Sequence, residues 1–136
     1  MSNLQQTLSI IKPDAVERNL DNEIKEIFRD KGFKIVKDKK IQISKTEAEQ
    51  FYKVHETKPF YNDLCAYLSS GPIVVMILEH ENAVLRNRDL MGSTNPKEAE
   101  EGTIRKKYGI SIDKNSVHGS DSLENAKIEI DFFFKD

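Results

Sequence analysis

A histidine close to the end of the chain lies among small polar residues, in the stretch "NSVHGSDS" at 115–122. An imidazole that acts as a nucleophile needs one free ring nitrogen and a partner that holds the other nitrogen. Gly119 would let another group approach the backbone beside His118, and Ser120 could hydrogen-bond a neighbouring acid. Glu129, in the next predicted helix, could fold back towards the ring. The alternative is a tight polar turn with a structural histidine, and spacing alone favours a solvated Glu129.

Three isolated basic residues border turns that are rich in Gly, Pro, Ser or Thr, namely Lys12, Arg88 and Arg105. Loops of this kind carry binding sites more often than regular elements do. Guanidinium groups together with the Thr94 hydroxyl would suit an anionic phosphate chain. Each of these side chains, taken singly, is also consistent with an ordinary solvated residue.

An aromatic residue stands at a predicted helix start, where Phe60 directly follows Pro59. A ring at such a junction can be exposed enough to stack on a nucleic-acid base, an interaction of about 1–3 kcal/mol. An ordinary core contact fits the spacing of Phe60 equally well. The sequence therefore indicates a possible base platform without deciding for it.

Motifs of several other chemistries are absent from the sequence. It contains no G-x-x-x-x-G-K-[ST] phosphate loop and no G-x-G-x-x-G turn. It also contains no C-x-x-C or H-E-x-x-H arrangement, and His55 and His80 have no partner at metal-ligand spacing. These absences argue against a zinc site.

The composition predicts one globular domain over residues 1–136. The net charge of −2 gives no support for nucleic-acid or membrane partners. The N-terminus lacks the basic and apolar regions of a signal peptide, and the longest apolar run, "IVVMIL" at 73–78, is too short to span a bilayer. With a single cysteine, Cys65, in an apolar stretch, the sequence predicts a cytoplasmic protein without a disulfide framework.

Hydrophobic periodicity predicts short strands separated by helices. Strands are expected at 8–11, 33–43 and 73–78, the last of them central because it is apolar on both faces. Helices are expected at 21–31 with Asp21 or Asn22 as N-cap, and at 44–55, 60–68, 83–90, 102–108 and 122–134. This order predicts an α/β (α+β) sandwich, a ferredoxin-like βαββαβ fold whose four-stranded antiparallel sheet is covered by helices.

Six stretches together resemble the nucleoside diphosphate kinase family: "TLSIIKPDAV", "FYKVHETKPFY", "SGPIVVMILE", "MGSTNP", "GTIR" and "NSVHGSDS". They occur in the order and spacing of that family, and the resemblance covers residues 7–134. It implies an enzyme that moves the γ-phosphoryl group of ATP, or another nucleoside triphosphate, to a histidine and then to a nucleoside diphosphate. The implied order is ping-pong, with broad base specificity and a function in maintaining nucleotide pools.

The resemblance also implies roles at the reacting centre. His118 would be the nucleophile that becomes phosphohistidine, and Glu129, supported by Ser120, would hold its other nitrogen. Lys12 and Tyr52 would meet the transferred phosphoryl group and the sugar.

Further implied roles concern the rest of the nucleotide. Asn115 would bind the sugar hydroxyl. Arg88, Thr94 and Arg105 would hold the phosphate chain together with a Mg²⁺ ion, which the nucleotide phosphates rather than protein ligands would mainly bind.

The base would be held by apolar and aromatic side chains. Phe60 would stack on one face and Ile112 would lie on the other, while His55 and Leu64 would line the entrance. Stacking does not distinguish one base from another, which agrees with the implied broad base specificity.

The chain departs from the family pattern at four positions outside these roles, Asn19, Asn22, His80 and Lys107. The family further implies a homo-oligomer, and the sequence leaves tetramer and hexamer open.

A second hypothesis is a nucleotide-binding or interaction module that kept the fold and lost turnover, although no proposed site residue is missing. A nucleic-acid binder is the third, and the net charge argues against it.

Overall fold

A computed structural model describes residues 4–111 and 114–134, apart from the Val54 side chain. Within these residues the strands are β1 (Leu4–Ile11), β2 (Lys34–Ile41), β3 (Ile73–Glu81) and β4 (Val117–Gly119). The α-helices are α1 (Pro13–Glu17), α2 (Asp21–Asp30), α3 (Lys45–Phe51), α4 (Tyr61–Leu68), α5 (Ala83–Met91), α6 (Ile104–Tyr108) and α7 (Leu123–Phe134). Two 3₁₀ turns lie at Lys53–His55 and Pro96–Glu98.

The four strands form one antiparallel sheet in the order β2-β3-β1-β4. β3 lies inside the sheet, between β2 and β1, and the prediction of a central strand for the "IVVMIL" run is confirmed. A pair of helices, α3 and α4, is inserted between β2 and β3. The predicted ferredoxin-like α+β sandwich is therefore confirmed, with that helical insertion as an addition.

Side chains of the inner strands alternate between two apolar layers because successive residues of a strand point to opposite faces. Val74, Met76 and Leu78 of β3 lie in one core cluster, which also contains residues of α1, α2, α5 and α6. Ile73 and Val75 lie in the second cluster, with residues of α3, α4 and α7. Full burial of each such side chain stabilises the fold by about 1.5–3 kcal/mol.

Local signals fix several helix ends. The Ser44 hydroxyl accepts from Glu47 N at 3.1 Å and the Glu47 carboxylate accepts from Ser44 N at 3.0 Å, so a capping box begins α3 at the residue where the helix was predicted to start. The single predicted helix at 44–55 is divided, because α3 ends at Phe51 and a 3₁₀ turn follows. Ser122 Oγ accepts from Asn125 N at 3.1 Å at the start of α7.

The predicted N-cap of α2 is wrong. Leu20 is the N-cap residue and forms no side-chain cap bond, while Asp21 and Asn22 already belong to the helix. Asn19 adopts a left-handed φ of 59°, which turns the chain one residue earlier than expected. Asp21 instead pairs with Lys40, whose Nζ lies 3.3 Å from its Oδ2.

Two elements were not located from the sequence, the short helix α1 and the strand β4, although the predicted fold required a fourth strand. β4 comprises three residues that pair with β1, and His118 lies opposite Ile10. Three residues carry too little periodicity to indicate a strand. The edge of β1 supplies the hydrogen-bonding partner that makes the segment extended.

Candidate active site

The histidine singled out in the sequence lies on β4 and faces the last helix. His118 Nε2 lies 2.9 Å from Oε1 of Glu129 on α7, and the two side chains are 21% and 18% exposed. A carboxylate only accepts hydrogen bonds, so Nε2 donates to Glu129, and in the neutral tautomer of the ring the lone pair lies on Nδ1. The structure thus brings together the pair that spacing alone did not favour.

Ser120 connects the same carboxylate to the sheet. Its hydroxyl donates to Glu129 Oε1 at 2.9 Å and also accepts from Leu8 N at 3.3 Å. The backbone N–H of Ser120 donates to Leu8 O at 3.2 Å. Ser120 is fully buried, and these bonds to β1 fix the hydroxyl that orients Glu129.

An aromatic group packs beside the imidazole. The Phe51 ring lies edge-on to His118, with centroids 5.4 Å apart and an interplanar angle of 73°. Phe51 also contacts Tyr52 and Phe133, at centroid distances of 5.0 and 5.1 Å. Burial, and then the negative charge of Glu129, raises the pKa of Tyr52, so this phenol stays neutral and keeps its proton.

A buried cation, Lys12, contacts the turn that leads into β4. Lys12 Nζ donates to Asn115 Oδ1 at 3.0 Å, and Asn115 Nδ2 donates to Thr94 O at 3.1 Å. Lys12 and Asn115 are both buried. Three of the predicted site residues, from three separate loops, are therefore joined by direct hydrogen bonds.

The two predicted arginines and Thr94 line a cleft of about 850 Å³, called here the arginine cleft. Its wall also contains Gly119 of β4 and four carboxylate residues: Asp89, Glu98, Glu100 and Asp121. His118 and Lys12 do not line it. Gly119, the next residue along β4 after His118, is part of the cleft lining.

Arg105 is held rigidly at the edge of the arginine cleft. It donates from Nη1 to Gly92 O at 2.9 Å and from Nη2 to Val117 O at 3.0 Å. Burial and the neighbouring charge of Arg88 lower the pKa of Arg105 to about 10. The guanidinium is still charged at neutral pH, and an anion placed between the arginines would relieve their repulsion.

The expected base platform is exposed. The Phe60 side chain is 47% exposed, which favours a stacking surface over the core contact. The His55 ring lies 6.0 Å from Phe60 and 6.3 Å from Tyr52, between the platform and the phenol. Leu64 packs partly against the second core cluster. The predicted opposite wall, Ile112, lies outside the described residues.

A polar group behind Lys12 was missed by the sequence analysis. Hydrogen bonds join four residues next to the turn at Asn115: Asp14, Arg18, Tyr67 and Ser116. The only available signal was the acid directly after Lys-Pro, because Tyr67 fitted an apolar helix face. The contacts come from segments far apart in sequence.

No cluster of three or more His, Cys, Asp or Glu that could hold a metal ion is found among the described residues. In the same ranges, no helix is long and apolar enough to cross a membrane.

The fold and the site together define an α+β protein with a histidine–carboxylate pair beside a cleft lined by two arginines. The family model described as nucleoside diphosphate kinase matches residues 5–136. The nucleoside diphosphate kinase of Campylobacter jejuni is 60% identical over 132 residues, covering 97% of this chain and 96% of that protein. That of Persephonella marina is 56% identical over 131 residues, covering 96% and 94%.

The solved structures agree with these relatives. A crystal structure of the Aquifex aeolicus nucleoside diphosphate kinase superposes with a TM-score of 0.95 at 38% identity, covering 97% of this chain and 96% of that chain. The chain belongs to the nucleoside diphosphate kinase family. The prediction of an enzyme of the transferase class, a kinase, is confirmed.

Proposed function

We propose that the protein transfers the γ-phosphoryl group of ATP or another nucleoside triphosphate to His118, and from there to a nucleoside diphosphate. The observation that carries this proposal is the 2.9 Å bond between His118 Nε2 and Glu129. It leaves Nδ1 as the nitrogen with a free lone pair, held in place by the bond on the opposite side of the ring.

In the first half-reaction, Nδ1 attacks the γ-phosphorus in line with the bond to the β-phosphate. An N–P bond forms, the bridging P–O bond breaks, and its electron pair stays on the nucleoside diphosphate. The ring becomes cationic while Nε2–H still donates to Glu129, whose charge stabilises that form. In the second half-reaction a phosphate oxygen of another nucleoside diphosphate attacks, and the electron pair returns to Nδ1.

The phosphate chain would be held by cations that are already in position. Arg105 is oriented by two backbone carbonyls, and Arg88 and Thr94 line the same cleft. Lys12 would neutralise charge on the transferred group, and Asn115, bonded to Lys12, would bind a sugar hydroxyl. Phosphoryl transfer depends mainly on such positioning and charge neutralisation.

Broad base specificity follows from the proposed base site. The exposed Phe60 ring would stack on the base, with Ile112 opposite and His55 and Leu64 nearby. Stacking is available to every base because each has a π-face. We therefore propose that the enzyme serves all nucleoside and deoxynucleoside diphosphates and so maintains the nucleotide pools.

Mg²⁺ is the proposed cofactor. Asp121 is one of the four carboxylate residues that line the arginine cleft, and the described residues offer no three-ligand cluster. This donor set fits an ion bound mainly by phosphate oxygens and water, as Mg²⁺ usually is in phosphoryl-transfer sites. When bound, it would neutralise charge on the phosphates.

Two further properties remain predictions: that the protein forms a homo-oligomer, a tetramer or a hexamer, and that it is cytoplasmic.

The decisive experiment is incubation with ATP labelled at the γ-phosphate. The wild type should take up acid-labile, base-stable phosphate and pass it to an added nucleoside diphosphate, and His118→Ala should take up none. His80→Ala is the matched control, because His80 lies on β3 and contacts Phe33 instead of the site. Binding of ATP without labelling would support the module that lost turnover.

A further inference from the structure

The turn that leads into β4 contains a residue with a strained backbone conformation. Ser116, between Asn115 and Val117, has a φ of 75° although it is not glycine. L-residues rarely adopt this left-handed conformation because the Cβ approaches the following carbonyl oxygen. Such a conformation persists only where the surroundings enforce it.

Three groups enforce it here. Ser116 Oγ donates to Asp14 Oδ2 at 3.0 Å, and Arg18 Nη2 donates to Ser116 Oγ at 3.3 Å. The backbone carbonyl of Ser116 accepts from Lys12 N at 2.8 Å. Ser116 is fully buried, so water does not compete for these bonds.

Asp14 is the centre of this arrangement. Its carboxylate accepts from the Tyr67 hydroxyl and, at 3.2 Å, from Arg18 Nη2, while its own N–H donates to the Tyr67 oxygen at 2.9 Å. Arg18 Nη2 also donates to Tyr108 O at 2.6 Å. The group Asp14, Arg18, Tyr67 and Ser116 therefore ties α1, α4, the end of α6 and the turn together.

We propose that Asp14 is a positioning residue: through Tyr67 and Ser116 it sets the turn that presents Asn115 and Lys12 to the nucleotide. The proposal rests on the proposed function. Lys12 Nζ bonds Asn115 Oδ1 at 3.0 Å, and the N–H of Lys12 is bonded to the turn itself. A shift of the Ser116 turn therefore moves both residues that would meet the phosphoryl group and the sugar.

Tyr67 also links this centre to the proposed base site. It lies on α4, the helix that begins directly after Phe60. The hydrogen bonds from Tyr67 to Asp14 consequently set the distance between the stacking ring and the phosphate-binding side chains. Loss of the Tyr67 hydroxyl should act on the rate at saturating nucleotide, because both ends of the bound nucleotide become misaligned.

The first test compares Tyr67→Phe with Tyr61→Phe. Both tyrosines lie on α4, and the Tyr61 hydroxyl donates to Glu49 O at 2.9 Å, away from Asp14. Tyr67→Phe should lower the single-turnover rate of His118 phosphorylation by saturating ATP about tenfold, the effect of one hydrogen bond to a charged group. Tyr61→Phe should leave the rate within about twofold. Equal rates in both variants, at similar melting temperatures, would overturn the proposal.

The second test uses the backbone preference of position 116. Ser116→Gly and Ser116→Ala both lose the hydroxyl, but glycine adopts the positive φ without strain and alanine resists it. The alanine variant should therefore be the slower of the two. An alanine variant as fast as the glycine variant would contradict the proposal.

A third readout separates this inference from the proposed function. Amide hydrogen exchange of Lys12 should accelerate in Tyr67→Phe and remain unchanged in Tyr61→Phe, whatever the protein catalyses. If the wild type is not labelled on His118, the proposed function fails. If labelling is normal and Lys12 exchange is unchanged in Tyr67→Phe, only the positioning role of Asp14 fails.

Discussion

The Glu129 carboxylate holds the His118 ring by a 2.9 Å bond to Nε2. Both side chains are largely shielded from water, which strengthens a bond between a ring N–H and a charged acceptor. The bond fixes the tautomer and the ring plane together. The opposite nitrogen, Nδ1, is the atom that we propose attacks the γ-phosphorus.

Glu129→Gln should keep the geometry and remove the charge. Because a hydrogen bond to a charged group contributes about 1.5–3 kcal/mol, we expect phosphorylation of His118 to slow by about 10–100-fold. Single-turnover labelling with γ-labelled ATP measures this. Glu124→Gln, an exposed change on the same helix, is the control, and equal rates in both variants would refute the role of Glu129.

Nucleoside diphosphate should stabilise the fold through the arginine cleft. Burial and the charge of Arg88 disfavour the charged form of Arg105 and lower its pKa, and a bound phosphate chain would offset that effect. At 100 times its Kd, ADP should add about 2.7 kcal/mol of stability, seen as a higher melting temperature. At the same ADP concentration the increase should shrink in Arg88→Gln and persist in Arg86→Gln, an exposed change on the same helix. An equal increase in both variants would count against the cleft as the phosphate site.

Phe60→Ala and Arg88→Ala should affect different kinetic parameters. Loss of the exposed ring removes about 1–3 kcal/mol of stacking and should mainly raise KM, similarly for purines and pyrimidines. Loss of the guanidinium should mainly lower kcat, because its charge acts on the phosphates during transfer. Steady-state kinetics with several diphosphates checks both. If KM and kcat change by the same factors in the two variants, the proposed separation of base binding by Phe60 from phosphate transfer by Arg88 is contradicted.

Gly119→Ala should destabilise the fold by about 1–3 kcal/mol through overpacking. A Cβ at this position would lie 2.2 Å from Asn87 Nδ2 and 2.8 Å from Met91 Cε. Asn87 has no side-chain hydrogen-bond partner within the described ranges, so adding Asn87→Ala should recover part of the loss.

Urea unfolding measures these differences in the free energy of unfolding. Gly71→Ala is the control, since its nearest contact would be at an ordinary 3.7 Å. A double variant no more stable than Gly119→Ala would show that the clash with Asn87 is not the cause.

Recognition of the family from short motifs was correct, and it named roles that spacing alone left open. Residue patterns alone allowed two interpretations at each of two places. His118 could pair with Glu129 or be a structural histidine beside a solvated Glu129, and Phe60 could be an exposed stacking ring or a core contact. The tertiary structure supports the first interpretation at each place, by a 2.9 Å contact and by the exposure of the ring. No sequence pattern predicts the contact between Asp14 and Tyr67, because 53 positions separate the two residues.

The sequence by itself determined the elements whose causes are local. The apolar run of β3 and the helix start at Ser44 depend on neighbours within a few residues, and each was predicted. Only the tertiary structure decided β4, the left-handed Ser116 and the bond between Lys12 and Asn115, which are 103 positions apart. The physical reason is that β1 supplies the edge that extends β4, and a buried carboxylate from α1 enforces a backbone conformation that serine would not adopt alone.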